Sequence, residues 1–84
     1  MAKKFSDAYG PVLRRFRNDK GLTQDRLSEL VDVSPPYISM LESGHNYPSL
    51  EMVFQLAHAL DVRPSAMLAE MEQRLNWPTD DPAQ

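Results

Sequence analysis

The sequence predicts an all-α domain of five short helices, and three observations carry that prediction. Apolar residues recur at helical spacing along most of the chain. Nowhere is there a sustained run of strict apolar–polar alternation, the mark of a half-buried strand. Ser, Thr or Pro stands ahead of each apolar stripe, and Gly or a polar turn follows it, which is the punctuation of helix starts and stops. At 84 residues the chain makes one domain, near the lower end of what folds without staples.

Gly10-Pro11 is read as the opening of the first helix, with Pro at N1, where its missing N–H is not needed. Residues 1–9 are then a flexible N-terminal arm, in which Lys3 and Lys4 add backbone attraction or are simply a charged terminus. Val12, Leu13 and Phe16 form the inner face, and Lys20-Gly21 ends the helix with Gly at C′. Thr23 caps a second helix over about 24–31, with Asp25 in the first turn where the helix dipole favours negative charge. Leu27, Leu30 and Val31 are expected to face inward.

Asp32-Val33-Ser34 is a turn leading to a third helix over about 35–42, capped by Ser34, with Ile38 and Leu41 buried and Ser43-Gly44 as its stop. Pro35 and Pro36 fall at N1 and N2, whose N–H groups have no partner within the helix, so the pair is compatible with it. Residues 45–48 are loop. Ser49 caps a fourth helix with an apolar stripe at Leu50, Val53, Leu56, Ala57 and Leu60. Pro64 starts a fifth, whose stripe Met67, Leu68, Met71 and Leu75 extends past what a minimal core needs. The folded domain is thus expected over 10–75. Residues 76–84, with two prolines and two aspartates, read as a disordered tail.

Composition narrows the function. With no cysteine there are no disulfides or thiolate metal sites, and a reducing cytoplasm is the expected setting. No apolar run approaches the ~18 residues of a membrane span, and MAKKFSDAYG lacks the apolar stretch of a signal peptide. His45 and His58 stand thirteen residues apart without a thiol, so no zinc site is expected. Neither a Gly-rich phosphate loop nor a Ser/His/Asp arrangement occurs, so no enzyme and no cofactor are expected. The net charge of −3 is divided unevenly: residues 1–48 sum to +1 and residues 49–84 to −4.

The residues filling the helical plan are more specific than the plan itself. They are Lys20-Gly21-Leu22-Thr23-Gln24, Leu27-Ser28, Val33-Ser34, Tyr37-Ile38-Ser39, Leu41-Glu42-Ser43-Gly44, Pro48-Ser49 and Ala57-x-Ala59-Leu60. On these, Val12 to Leu68 resembles the phage Cro and repressor-like (XRE-type) helix-turn-helix family. The resemblance implies a five-helix repressor-like domain whose third helix enters the major groove of duplex DNA. Asp32 stands where the family often has Gly; Asp tolerates the left-handed conformation better than most residues. Ser28 is small where the two helices cross. Arg17 and Glu42 match a family ion pair that ties the third helix to the first.

The candidate DNA-binding residues are Gln24, Ser34, Pro35, Pro36, Tyr37, Ser39, Met40, Ser43, His45 and Asn46. Gln24 begins the second helix, where its amide and nearby N–H groups can meet a phosphate. Proline cannot hydrogen-bond a base edge but can touch a thymine methyl, so polar readout moves to Tyr37, Ser39 and Met40. Tyr37 either contacts DNA or closes the corner between the second and third helices. Ser43, His45 and Asn46 donate to phosphates or belong to an ordinary solvated loop, while Gln55 and His58 look like solvent positions.

The resemblance further implies a transcriptional regulator acting on a palindromic operator as a homodimer, for which Met71, Leu75 and Trp77 offer the interface. Trp77 has the alternative of folding back on its own domain. A different class also fits: a protein-interaction module, such as the antitoxin half of a two-protein system, with weak or no DNA binding. The negative charge and the double proline favour that alternative.

Overall fold

Five helices follow one another in the computed structural model, which describes residues 5–76. They are α1 (Phe5–Asp19), α2 (Gln24–Leu30), α3 (Pro35–Ser43), α4 (Leu50–Ala59) and α5 (Pro64–Leu75). No strand occurs among the described residues. Helix α1 packs mainly against α3 and α5, α2 against α3, and α4 against α5 and more sparingly α2. Val12, Leu13, Leu27, Ile38, Leu41, Leu56, Leu60 and Met67 are fully buried where these helices meet.

The largest correction concerns α1. It begins at Phe5 rather than at Gly10, so much of the expected arm over 1–9 is helix. Pro11 lies inside the helix, where it removes one backbone rung at a typical cost of ~3 kcal/mol. The preceding turn carries Ala8 and Tyr9, both buried, and Asp7 complements the dipole at its start. Burial of that turn explains why the helix extends back through a proline.

Gly10 has a different job from starting a helix. A Cβ built there would lie 2.3 Å from the carbonyl oxygen of Glu42 and 2.8 Å from that of Leu41. Only glycine lets α1 approach the end of α3 so closely.

The caps mostly follow the chemistry of their residues. Thr23 accepts from the Arg26 N–H and Ser49 from the Met52 N–H, each at 3.0 Å. Ser34 occupies the N-cap position of α3 with an extended backbone, but its hydroxyl makes no capping bond. Prolines at N1 and N2 supply no N–H there, and the Tyr37 N–H bonds instead to the Ser34 carbonyl at 3.0 Å. Gly44, at φ 85°, closes α3, with the His45 N–H reaching the Met40 carbonyl at 2.9 Å. Asp32 adopts φ 60° after α2, where the Val33 N–H bonds to the Ser28 carbonyl at 2.9 Å.

Three residues expected inside are exposed: Leu30 at 45%, Leu50 at 68% and Leu68 at 41%. Each helix is short and the core is filled by one narrow stripe, so the flanking apolar positions meet water. No described helix is long and apolar enough to cross a membrane.

Candidate nucleic-acid interface

Helix α3 is held from its inner side by one buried carboxylate. The Glu42 side chain is wholly inaccessible to solvent, which would be costly for a charge without partners. Arg17 supplies two bonds, Nε to Oε2 at 2.5 Å and Nη2 to Oε1 at 3.0 Å, and its Nη1 donates to the Leu22 carbonyl at 2.8 Å. Arg14 adds Nε to Oε1 at 3.3 Å. The predicted Arg17–Glu42 pair is present, and it is larger than a pair.

Burial pushes the Glu42 carboxyl up, but the hydrogen bonds from Arg17, Gln24 and Arg14, together with the charge of Arg17, hold it below the usual carboxylate range. The reciprocal hydrogen bond to Glu42 raises the Arg17 guanidinium against the opposing effect of burial. The group therefore remains charged on both sides.

Gln24 departs from expectation. Its Nε2 donates to Glu42 Oε1 at 3.0 Å, so the amide nitrogen read as a phosphate donor is engaged inside the helix junction. One N–H of that amide and the carbonyl oxygen are left for other partners. Sequence spacing could not reveal this, because nothing in the order of residues tells that Gln24 and Glu42 converge.

The outer side of α3 presents Ser34, Pro35, Pro36, Ser39 and Met40 to solvent. Tyr37 is half-buried, its ring set against the hydrophobic core. Burial, and then the neighbouring Tyr37, raises the phenol of Tyr9 above its ordinary range, and the Tyr9 hydroxyl is buried with no hydrogen-bond partner among the described residues. Tyr37 is thus shared between the core beside Tyr9 of α1 and the surface.

Beyond Met40 the loop folds back beside the helix. Ser43 Oγ donates to the Met40 carbonyl at 3.3 Å and lies 2.7 Å from His45 Nδ1. Asn46 Nδ2 lies 4.0 Å from Met40 Sδ. Ser39, Met40, Ser43, His45 and Asn46 therefore lie on and just beyond one helix. In α2, Ser28 is buried and donates to the Asp25 carbonyl at 2.6 Å.

The residues offered for a dimer contact lie on α5, apart from this set. Met71 and Leu75 are half-buried and line an open apolar cleft with Phe5, Leu68 and Glu72, of about 320 Å³. Trp77 lies outside the described residues, as do Lys3 and Lys4. Gln55 and His58 are exposed on α4. Among the described residues, no group of three or more His, Asp or Glu side chains is placed to hold a metal ion.

Residues 13–67 match the helix-turn-helix family. Among curated proteins, the chain is similar to the transcriptional regulator ClgR of Mycobacterium tuberculosis, with 32% identity over 75 residues covering 89% of this chain and 67% of that one. Among solved structures it is similar to the clp gene regulator ClgR of Corynebacterium glutamicum, with 36% identity and a TM-score of 0.87, covering 90% of this chain and 81% of that one. The restriction-modification controller protein C.Esp1396I, solved as a tetramer with its natural 35 base-pair operator, shares the fold: TM-score 0.78 at 18% identity, covering 88% and 97%.

Proposed function

The chain belongs to the XRE-type helix-turn-helix family, and from that premise we propose that it is a sequence-specific regulator of transcription that lays α3 in the major groove of duplex DNA. The supporting observation is the two-sided character of α3. Its inner side is locked to α1 and α2 through Glu42, while Ser34 at its cap, Ser39, Met40 and Ser43 along it and His45 and Asn46 just beyond it are offered outward. A helix held fixed from behind and open to solvent in front suits a groove, since the backbone that carries the reading side chains is already in place.

In this reading Pro35 and Pro36 contribute shape and apolar contact at the start of α3, and Ser39 and Met40 address base edges. Ser43, His45 and Asn46 meet phosphates, which position the protein without specifying sequence. Gln24 serves chiefly as a strut to Glu42, with its second N–H directed to the backbone. Tyr37 offers its hydroxyl to DNA while its ring packs against the core.

One helix reads few base pairs, and a twofold pair on a palindromic operator doubles the readout. We assign the dimer contact to the apolar side of α5 at Met71 and Leu75, extended by Trp77 in sequence. The C.Esp1396I tetramer on its operator shows that a protein of this fold assembles on DNA. The same reading can be carried to this chain.

The charge of −3 favours a second reading, in which the fold serves protein interaction and DNA binding is weak. Footprinting on DNA flanking the chain's own gene, repeated over a salt series, separates the two. A regulator protects a discrete site and loses affinity with a log–log salt slope of about −0.9 per neutralised phosphate. Absence of protection at low salt would overturn the regulator reading.

A further inference from the structure

We infer that the trough between the end of α2 and the outer side of α4 is a docking site for a basic, amphipathic helical segment of a protein partner. Leu30, Val31, Phe54 and Ala59 form its apolar floor, in an open space of about 680 Å³. Leu30 is 45% exposed and Phe54 54% exposed. A single exposed apolar side chain is ordinary, but two that line one trough make a contiguous patch of the kind that marks interaction sites.

Charge identifies the occupant. Asp32 and Glu51 line the trough together with Gln55 and His58, and among the described residues no Lys or Arg does. Neither carboxylate makes a salt bridge among the described residues; Glu51 accepts only a hydrogen bond from Gln55, at 3.3 Å. An apolar ridge flanked by Lys or Arg satisfies both features, in the manner of a helix laid in a groove. DNA is disfavoured, because the lining carboxylates repel phosphate. Another copy's residues 77–84 are disfavoured too, since they carry two aspartates and no Lys or Arg.

The site is independent of those above. None of its lining residues belongs to the outer side of α3 or to the Met71–Leu75 side of α5. A partner seated here engages residues distinct from both, which is the arrangement by which a DNA-bound protein engages a second protein.

The test is a nuclear magnetic resonance titration of the full chain with a synthetic Leu/Lys amphipathic helix and with the same peptide carrying Glu for Lys. The expected result is amide shifts clustered at Leu30, Asp32, Glu51 and Phe54 with the Lys peptide alone. Phe54→Ala should weaken binding on the order of tenfold, as loss of a central apolar anchor does. Asp32→Asn with Glu51→Gln should weaken it by a smaller factor that shrinks as salt rises. Asn tolerates the left-handed backbone at position 32 as Asp does, and both variants should keep the unfolding midpoint of the parent. Equal binding of the Glu peptide, shifts centred on Met71 and Leu75, or no effect of Phe54→Ala would overturn the proposal. So would concentration-dependent shifts in the trough without peptide, which would make the occupant a second copy.

Discussion

The two sides of α3 are held in opposite ways. On the inner side, Gly10 admits the backbone of α1 to within contact of the Leu41 and Glu42 carbonyls, and three side chains converge on one buried carboxylate. On the outer side, Ser39 and Met40 are exposed, and the hydrogen bonds there are local, from Ser43 and Asn46 to Met40 and between Ser43 and His45. The difference teaches that placement and recognition are separable in a helix of nine residues. Substitutions on the inner side should act on stability, and those on the outer side on what the helix touches.

The largest expected effect is on the inner side. Glu42→Ala leaves Arg17, whose side chain is only 11% exposed, and the Gln24 amide without their shared acceptor. Breaking one partner of a buried pair typically costs about 3–5 kcal/mol, so urea unfolding should show a loss of that order. A loss below about 1 kcal/mol would mean that water replaces the carboxylate and the lock is weak.

Gly10→Ala comes next. The clash is with backbone oxygen, which cannot swing aside as a side-chain tip can, so α1 must shift against α3. A cost of about 2 kcal/mol is expected, in the range of overpacked cores, read as a lower thermal midpoint. An unchanged midpoint would show that the close approach is not needed.

Acid should probe the same lock without cutting it. The Glu42 pKa lies below its unfolded value of about 4.3. Its contribution to stability is therefore complete above that value and lost as pH falls through the lower, folded one. The parent chain should lose stability on acidification below about pH 4 more steeply than Glu42→Gln, and parallel curves would contradict the assignment.

The smallest effect belongs to the rim of the lock. Thr23→Ala removes the cap of α2 and should cost about 1 kcal/mol. A larger loss would mean that α2 depends on its cap more than on Leu27 and Ser28, which are buried.

Much of this contrast was legible in the sequence because it rests on local chemistry. Thr23, Ser49 and Gly44 do what their side chains, or lack of one, allow at helix ends. The Arg17–Glu42 pair followed from the family resemblance. What was not legible depends on packing at a distance. Gly10-Pro11 carries the signature of a helix start, and only the proximity of Glu42 reveals that the glycine is there for close approach. Leu30, Leu50 and Leu68 fit a helical stripe as well as Leu27 and Leu56 do, because spacing cannot tell how wide a stripe a small core will cover. Phe54 lies off the α4 stripe, and its place in a trough depends on α2, which helical spacing within α4 does not show. Gln24 had the right position for a phosphate and was engaged by a carboxylate eighteen residues away.

In the proposed function the outer side of α3 reads DNA while the inner side holds the helix in place. A Ser39→Ala, Met40→Ala double variant tests this most directly, by measuring its affinity for the footprinted site together with its thermal midpoint. Exposed positions away from caps and core usually change stability by no more than about 0.5 kcal/mol. The midpoint should be unchanged and the affinity lower on the order of tenfold, the size of one lost base contact. Full affinity in a stably folded double variant would contradict that reading.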